Sequence, residues 1–189
     1  MTGAFRRLGE HELYRGPLIT VARGTFEAPD GSTFQRDVVH HPGAVSVVPV
    51  LGAESGEVLL VRQYRAPVDR VVLEIPAGKR DVAAERPTDT ARRELIEEVG
   101  QRAGRLELLA EFYNSPGFCD EATWIYLATG LHAVPPARDG FEERYLTVRE
   151  VPLDDFDAMV DDGSIVDAQT ILGVGLARRR LLASGGTPS

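Results

Sequence analysis

The stretch AGKRDVAAERPTDTARRELIEEVG, residues 77–100, carries the most informative pattern in the sequence. Glu94, Glu97 and Glu98 lie within segment 91–99, whose pattern predicts a helix, at spacings of three and four residues. These spacings place all three carboxylates on one helix face, where like charges cost roughly 0.2–0.5 kcal/mol per pair. The pattern therefore indicates either a solvated acidic face or a site for a hard divalent cation, which prefers oxygen ligands.

The composition indicates one globular domain and restricts the classes of partner. The chain has 189 residues, 43% of them hydrophobic, and its formal net charge is −8. An acidic chain is not expected to bind nucleic acid or an anionic membrane, because both need a basic surface. A phosphate-bearing substrate stays possible, since bound metal ions can supply local positive charge.

Three features favour a cytoplasmic location. The single cysteine, Cys119, cannot form an internal disulfide. No run of eighteen apolar residues is present, and the N-terminal sequence MTGAFRRLGEHE has no hydrophobic signal core. We therefore expect a cytoplasmic protein.

The chain reads as an N-terminal β extension over residues 1–42, one main domain over 43–183 and a disordered tail over 184–189. Within the extension, residues 13–39 predict a β hairpin that reverses at Pro-Asp-Gly-Ser, residues 29–32. A hairpin at the start of a chain often packs on a neighbour. We expect it to be a dimerisation element.

The main domain predicts a mixed sheet flanked by helices, an α/β or α+β arrangement. The helix in the acidic stretch should begin with Thr88 or Asp89 as its cap and end at Gly100. The predicted strands are 44–51, 57–64, 71–75, 106–112, 123–128 and 145–148, and two further helices are predicted over 154–161 and 167–182.

The acidic stretch resembles the Nudix box, which is glycine, five residues, glutamate, seven residues and Arg-Glu-aliphatic-x-Glu-Glu-x-Gly-aliphatic. Gly78, Glu85 and RELIEEVG at residues 93–100 carry the resemblance. Two departures occur: six residues separate Gly78 from Glu85, and Gln101 replaces the last aliphatic residue. The resemblance implies a Nudix-type α/β/α sandwich with a mixed sheet.

The resemblance also implies a site for Mg²⁺, or for Mn²⁺ in its place, with two or more ions. Glu94 and Glu98 are one turn apart and can grip the same cation, and Glu97 can share a second ion. The carbonyl of Ala77, just before the box glycine, is a metal ligand in relatives. Arg93, one turn before Glu97, has two open readings: an ion pair that orients Glu97, or a substrate contact.

Three segments outside the box are similar to the ADP-ribose pyrophosphatase branch of this family: QYR at residues 63–65, LEIPAG at 73–78 and SPGFCDE at 115–121. The branch takes its general base from a loop beyond the box, and the acidic pair Glu142 and Glu143 lies at that place. The implied catalytic residues are therefore Glu97, Glu98, Glu142 and Glu143.

The branch also implies substrate contacts for Arg65 and Glu74. Arg65 would contact the phosphates, and the alternative is an exposed arginine at the end of a strand. Glu74 would bond a nucleotide or ribose group, and the alternative is a cross-strand ion pair with Arg62 or Arg70.

The remaining expected contacts are Gly117 and Phe118, in the SPGFCDE loop, and Arg36, which stacks on adenine across the dimer in relatives. The position facing Arg36 is often aromatic in relatives, whereas Ile19 is the nearest match here. This departure weakens the expectation of tight adenine recognition.

We interpret the cysteine, the adjacent histidines and the tryptophan of the sequence as structural and not as catalytic or metal-binding. Cys119 has no histidine or basic residue nearby in sequence, so a thiol nucleophile is not expected. Adjacent strand residues point to opposite faces, so His40 and His41 read as surface residues near a turn and not as a metal pair. Trp124 is expected in the core or at the interface between sheet and helix.

These features predict a homodimeric Mg²⁺-dependent hydrolase that splits ADP-ribose to AMP and ribose 5-phosphate with a metal-activated water. One alternative is hydrolysis of another nucleoside diphosphate sugar or of a dinucleotide. Another is a Nudix-fold sensor that binds a nucleotide without cleaving it. Such modules usually lose a box glutamate, and all are present here.

Overall fold

The computed structural model describes residues 3–52, 56–82, 84–136 and 143–185. The chain forms two compact units. The first unit contains Met1–Ala44 and Phe112–Thr123, and the second contains Val45–Glu111 and Trp124–Ser189. The predicted boundaries at residues 42 and 183 stay predictions. Within the described part, no helix is long and apolar enough to cross a membrane.

The first unit is built on an antiparallel sheet of β1 (Arg6–Arg15), β2 (Thr20–Glu27) and β3 (Thr33–His40), in that order. The predicted hairpin corresponds to β2 and β3. Its turn is closed by a hydrogen bond from the Gly31 N–H to the Ala28 carbonyl, and Gly31 has a φ of 84°. β1 extends this hairpin to three strands, and every one of its residues is exposed.

The second unit contains a mixed sheet in which seven strands are described. The central order is β10-β5-β4-β9-β8, with β6 paired to β5 and β7 paired to β4. The strands are β4 (Ala44–Leu51), β5 (Glu57–Arg65), β6 (Arg70–Glu74), β7 (Ala77–Lys79), β8 (Gln101–Tyr113), β9 (Ala122–Ala133) and β10 (Thr147–Pro152).

Three α-helices are described in the second unit: α1 (Pro87–Val99), α2 (Phe156–Asp161) and α3 (Ala168–Gly185). The predicted helix cap was wrong. α1 begins at Pro87, and the residue before it, Arg86, makes no side-chain cap. Proline suits this first position because it has no N–H to leave unpaired. Thr88 and Asp89 therefore lie inside the first turn.

Gly100 ends α1 as predicted. Its φ is 64°, in the left-handed region, and its N–H bonds to the carbonyl of Ile96. A Cβ at this position would lie 2.9 Å from the carbonyl oxygen of Val134. Glycine is thus required here both by the backbone conformation and by the close approach of the chain.

One part of the core of the second unit lies between α1 and the sheet. α1 contributes Ala91, Leu95 and Val99, which recur every four residues and so form one stripe. The strands contribute Val45, Val47, Leu59, Val61, Ala103, Tyr126 and Ala128, and Trp124 packs against this cluster as a partly buried residue. Two glutamates share the buried face of α1, as described below.

In the first unit, the loop between β8 and β9 is tied to the end of β3. The Val39 N–H donates to the Phe118 carbonyl, and the Asp120 N–H donates to the Val39 carbonyl. The His40 Nδ1 lies 2.5 Å from Asp120 Oδ2, and its Nε2 lies 3.2 Å from Glu10 Oε2. His40 is therefore an ionic anchor of this loop and not a simple surface residue.

The ionic anchor shifts the pKa of both of its main partners. The hydrogen bond to Asp120 raises the pKa of His40 above 6.5, with a smaller contribution from Glu10, although partial burial opposes this. Partial burial by itself would raise the pKa of Asp120, but His40 and the backbone N–H of His41 lower it below 3.8 overall. The pair is thus most stabilising when His40 is protonated and Asp120 is ionised.

We expect His40→Gln to destabilise the protein in a pH-dependent way. The raised pKa of His40 gives stability that is fully present below pH 6.5 and is lost as the pH rises through the folded-state pKa. The Asp120 contribution is lost only as the pH falls below 3.8. Urea unfolding at several pH values should therefore show a difference between wild type and H40Q that shrinks toward alkaline pH.

Candidate active site

The three glutamates of the acidic stretch differ in their burial. Glu94 and Glu98 are 5% and 3% exposed, and they lie on the same buried face of α1 as Leu95. Glu97 is half-buried. The face of α1 that carries Glu94 and Glu98 thus points into the protein and not into solvent. Because burying a carboxylate is costly unless it is compensated, a plain solvated acidic face does not describe this helix.

Gly78 makes room for the Glu94 carboxylate. A Cβ placed on Gly78 would lie 1.9 Å from Glu94 Cδ and 2.0 Å from its Oε1. A side chain at this position would displace the Glu94 carboxylate, so glycine is what lets that carboxylate lie against the backbone, and its φ plays no part. The close contact brings the backbone of residues 77–79 against the carboxylate.

Glu98 holds the residue before that glycine. Its Oε2 accepts a hydrogen bond of 3.1 Å from the Ala77 N–H. The preceding carbonyl, of Pro76, accepts from the Val47 N–H at 2.9 Å, which attaches the same segment to β4. The carbonyl of Ala77, predicted as a metal ligand, therefore lies in a segment that is fixed to both α1 and the sheet.

Arg93 joins the other acidic groups. Its Nη1 lies 2.6 Å from Glu94 Oε1 and 3.0 Å from Glu97 Oε2. Its Nε lies 3.4 Å from Glu85 Oε1, and the Thr90 hydroxyl donates to Glu85 at 2.8 Å. Of the two interpretations of Arg93, an ion pair with Glu97 or a substrate contact, the structure contains the ion pair.

These carboxylates also control the charge state of Arg93. Partial burial by itself would lower the pKa of Arg93, but Glu94, Glu85 and Glu97 together raise it well above its ordinary value. Arg93 therefore stays cationic at any pH in which the protein is folded. It balances part of the negative charge that α1 brings into the site.

Arg65 and Glu74 form a pair on one face of the sheet. The Arg65 Nε lies 3.0 Å and 2.9 Å from the two carboxylate oxygens of Glu74, which is buried. Burial by itself would lower the pKa of Arg65, but Glu74 raises it overall, with smaller contributions from Glu98 and Asp167. Arg65 is thus within the electrostatic field of Glu98.

The alternative pairing of Glu74 with Arg62 or Arg70 was wrong, because Arg65 takes that place. Glu74 lies opposite Val61 in the β5–β6 ladder. Side chains alternate between the two faces of a strand, so Arg62, next to Val61, points to the other face. Arg65, four residues beyond Val61, shares the face of Glu74.

The donor set of the site suits a hard divalent cation in its chemistry. Carboxylate oxygens and a backbone carbonyl are the ligands that such ions take. Among the residues that the structure describes, however, no group of three or more histidine, cysteine, aspartate or glutamate side chains is placed to hold an ion. Arg93 contacts one oxygen of Glu94 and one oxygen of Glu97, so a cation held by these two carboxylates would lie near a guanidinium.

The other predicted substrate residues lie in the first unit. Arg36 is on β3 with its Cζ 5.0 Å from the ring centroid of Phe34, and its Nη1 donates to the Gln35 carbonyl at 2.7 Å. Phe34 thus lies beside Arg36 within the same strand, and the expectation about the facing position at Ile19 stays a prediction. Phe118 is exposed.

Only one of the two candidate general bases lies among the residues that the structure describes. Glu142 lies outside the described residues, and Glu143 begins a short 3₁₀ turn, Glu143–Tyr145. Their assignment stays a prediction. Gly117 is described, between Pro116 and Phe118 in the loop tied to β3, and a Cβ on it would meet nothing within 4 Å.

Sequence reasoning missed one group of residues beside the site. The Thr170 hydroxyl accepts a hydrogen bond of 2.9 Å from the Ile75 N–H, and it donates to Asp167 Oδ2 at 2.7 Å. An aspartate three residues before a threonine at the start of a predicted helix is a capping signal. That signal could have located Asp167, but Ile75, which directly follows β6 and bonds to Thr170, is 95 residues away from Thr170 in sequence.

Comparison with known proteins agrees with the geometry. The NUDIX domain model matches residues 40–169. The chain is 36% identical over 169 residues to an ADP-ribose pyrophosphatase of Bacillus subtilis (strain 168), which covers 89% of this chain and 90% of that protein. It is 37% identical over 170 residues to an ADP-ribose pyrophosphatase of Mycobacterium tuberculosis, with 90% and 81% covered.

The fold is also similar to a solved structure. The crystal structure of an ADP compounds hydrolase superposes with a TM-score of 0.84 and covers 99% of this chain and 100% of that chain. The sequence identity of 23% makes this a likeness of fold alone. The NUDIX domain match spans most of the chain and includes the buried glutamates of α1. This chain therefore belongs to the Nudix family and is a Nudix hydrolase.

Proposed function

We propose that this Nudix hydrolase splits the diphosphate bond of ADP-ribose to give AMP and ribose 5-phosphate. One observation carries the proposal: two buried glutamates, Glu94 and Glu98, meet the backbone at Ala77 and Gly78. This arrangement concentrates oxygen ligands where a diphosphate and its cations would lie. The names of the two similar pyrophosphatases supply the substrate.

Nudix hydrolases generally depend on a divalent cation. We propose Mg²⁺, or Mn²⁺ in its place, with two or more ions held by Glu94, Glu97, Glu98 and the carbonyl of Ala77. Such ions neutralise phosphate oxygens and lower the pKa of water. This role agrees with the chemistry of the proposed ligands, all of which are oxygen atoms. It also explains why the protein contains buried acidic side chains, which by themselves would lower its stability.

The remaining residues have roles that follow from their contacts. Arg93 orients Glu97 and Glu94 before substrate arrives, and its permanent charge limits repulsion among the carboxylates. Arg65 would exchange part of its pairing with Glu74 for a phosphate of the substrate, since a guanidinium has five N–H donors. Glu142 or Glu143 would accept the proton from the attacking water.

Arg36, Gly117 and Phe118 are proposed to recognise the nucleotide. The Arg36 Cζ already lies 5.0 Å from the centre of the Phe34 ring, and a guanidinium can also pack against the flat face of a nucleotide base. Phe118 offers an exposed ring on a loop that Val39 and His40 of β3 hold in place through hydrogen bonds. The cytoplasmic location expected from the sequence belongs to this proposal as well.

A substrate panel tests the proposed specificity. With purified protein and Mg²⁺, ADP-ribose should give the highest kcat/KM among ADP-ribose, ADP-glucose, GDP-mannose, NADH and diadenosine polyphosphates. Nucleotide sugars with another base should be poorer, because the contacts with Arg36 and Phe118 would differ. A better substrate among the others would replace ADP-ribose in the proposal and leave the reaction class intact.

The change Glu98→Gln tests the catalytic role of the buried acid. Glutamine keeps the shape and can still accept the hydrogen bond from Ala77, but it removes the charge. We expect kcat/KM to fall by about 10²–10³, because loss of a charged ligand removes several kcal/mol of transition-state stabilisation.

Glu150→Gln is the matched control, since Glu150 is exposed on β10. It should leave kcat/KM within about twofold, as surface changes usually do. Equal activity of E98Q and wild type would remove Glu98 from the proposed mechanism. A wild-type protein that binds ADP-ribose but turns over none of the panel would favour the sensor alternative.

We further propose that the protein is a homodimer joined through the first unit. β1 is an edge strand with every residue exposed, and edge strands readily pair with another chain. The first unit also exposes large apolar side chains, which a second copy would cover: Phe5, Leu8, Leu13, Tyr14 and Leu18.

Sedimentation velocity tests the dimer. Wild type should sediment with twice the mass of one chain, and Leu13→Asp should shift it toward the single-chain mass because a charge would be buried at the interface. Leu182→Asp is the control, since Leu182 is 78% exposed at the end of α3. A wild-type protein of single-chain mass at micromolar concentration would contradict the proposal.

A further inference from the structure

Three successive residues before the box glycine are each held by a different element of the second unit. The Ile75 N–H bonds to Thr170 of α3, the Pro76 carbonyl bonds to Val47 of β4, and the Ala77 N–H bonds to Glu98 of α1. β6 ends at Glu74, so the N–H of Ile75 has left the strand ladder. The Thr170 hydroxyl on α3 accepts the hydrogen bond that a carbonyl of a neighbouring strand would otherwise accept.

The Thr170 hydroxyl has its orientation set by a second residue. Asp167 Oδ2 accepts from both the hydroxyl and the backbone N–H of Thr170, each at 2.7 Å. With its proton directed at Asp167, the hydroxyl oxygen presents its lone pairs to the Ile75 N–H. Thr170 is fully buried, so water does not compete for these bonds.

α3 also packs closely on the same residue. A Cβ on Gly173 would lie 3.0 Å from Ile75 Cδ1 and 3.1 Å from Val48 Cγ2. That distance is shorter than nearly all real Cβ contacts, so glycine allows α3 to approach Ile75 more closely than another residue would. The helix thus contacts Ile75 through both a hydrogen bond and its packed surface.

We infer that Thr170 is a positioning residue of the cation site, which it serves by fixing the segment Ile75-Pro76-Ala77 through the Ile75 N–H. The inference rests on the proposed cation role of Glu98 and the Ala77 carbonyl. The Ala77 carbonyl and its N–H belong to the segment that Thr170 anchors, and the N–H in turn orients Glu98. A shift of this segment would move two of the proposed ligands together.

A simpler role for Thr170 would be to satisfy a buried N–H and so to stabilise the fold. Loss of that bond would lower stability without any special effect on cation binding. The two roles differ in what they predict for the folded protein. Groups that orient ligands typically change metal affinity by about 10–100-fold when they are removed, even where the fold persists.

The test is a titration of the substrate-free protein with Mn²⁺, followed by the electron paramagnetic resonance signal of the free ion. Thr170→Val keeps the shape of the side chain but removes the hydroxyl, and we expect its Kd for Mn²⁺ to rise about tenfold or more. Thr170→Ser keeps the hydroxyl, so its Kd should stay within about threefold of wild type. Affinities of T170V and wild type that agree would overturn the inference.

Thr123→Val is a matched control for the loss of a buried threonine hydroxyl. Thr123 is fully buried, and its oxygen accepts a hydrogen bond of 2.9 Å from Asn114. T123V should lose thermal stability and keep the wild-type Kd for Mn²⁺. If T123V weakens Mn²⁺ binding as much as T170V does, the effect comes from general destabilisation and the inference is wrong.

Asp167→Ala provides a second variant should T170V not fold. Asp167 is only partly buried, so its replacement is better tolerated, and it removes the acceptor that orients the Thr170 hydroxyl. Its Kd for Mn²⁺ should rise severalfold, and an unchanged Kd would overturn the inference. Wild-type protein that binds no Mn²⁺ would overturn the proposed cation role itself, whereas equal binding by wild type and T170V overturns only the role of Thr170.

Discussion

The close approach of the Glu94 carboxylate to the backbone at Gly78 is the constraint on which the site depends. A Cβ on residue 78 would lie 1.9 Å from Glu94 Cδ, so any residue other than glycine would displace the Glu94 carboxylate. The same approach brings Glu98 within hydrogen-bonding distance of the Ala77 N–H. One missing side chain thus lets a helix place two acidic groups against a strand.

α1 serves the core and the site with the same face. Leu95 and Val99 pack in the hydrophobic cluster, and Glu94 and Glu98 are buried beside them. Buried carboxylates are seldom retained for stability, since well-packed apolar residues are often at least as stable. Their compensation here is specific: Arg93 pairs with Glu94, and a backbone N–H bonds Glu98. The protein thus keeps a costly arrangement in which the acids are held in defined positions.

Charge pairing links the site residues on the sheet to those on the helix. Arg65 is paired with Glu74, yet Glu98 of α1 also contributes to its raised pKa. Arg93 is shared among three glutamates. Both arginines therefore keep their positive charge beside a group of acids, so an anionic substrate meets cations that are already in place. In the first unit, His40 and Asp120 hold the loop that carries Phe118 in the same manner.

Local sequence patterns were sufficient to predict the acidic helix face and the end of α1. The spacing of Glu94, Glu97 and Glu98 follows directly from helix periodicity, and Gly100 is a stop signal because of its allowed left-handed conformation. The helix cap was wrong because Thr88 and Asp89 look like caps, whereas Pro87 can begin a helix without one. Capping residues and first-turn residues are chemically similar, so the sequence does not separate them.

The sequence by itself determined the family and the acidic helix face, because these depend on residues close together in the chain. Only the tertiary structure decided which partners complete the site. Arg65 was paired with Glu74 and not Arg62 because of strand register and side-chain alternation. Thr170 reached Ile75 because α3 packs on the end of β6, 95 residues away in sequence. Contacts of that kind depend on how elements pack, and no local pattern of residues encodes them.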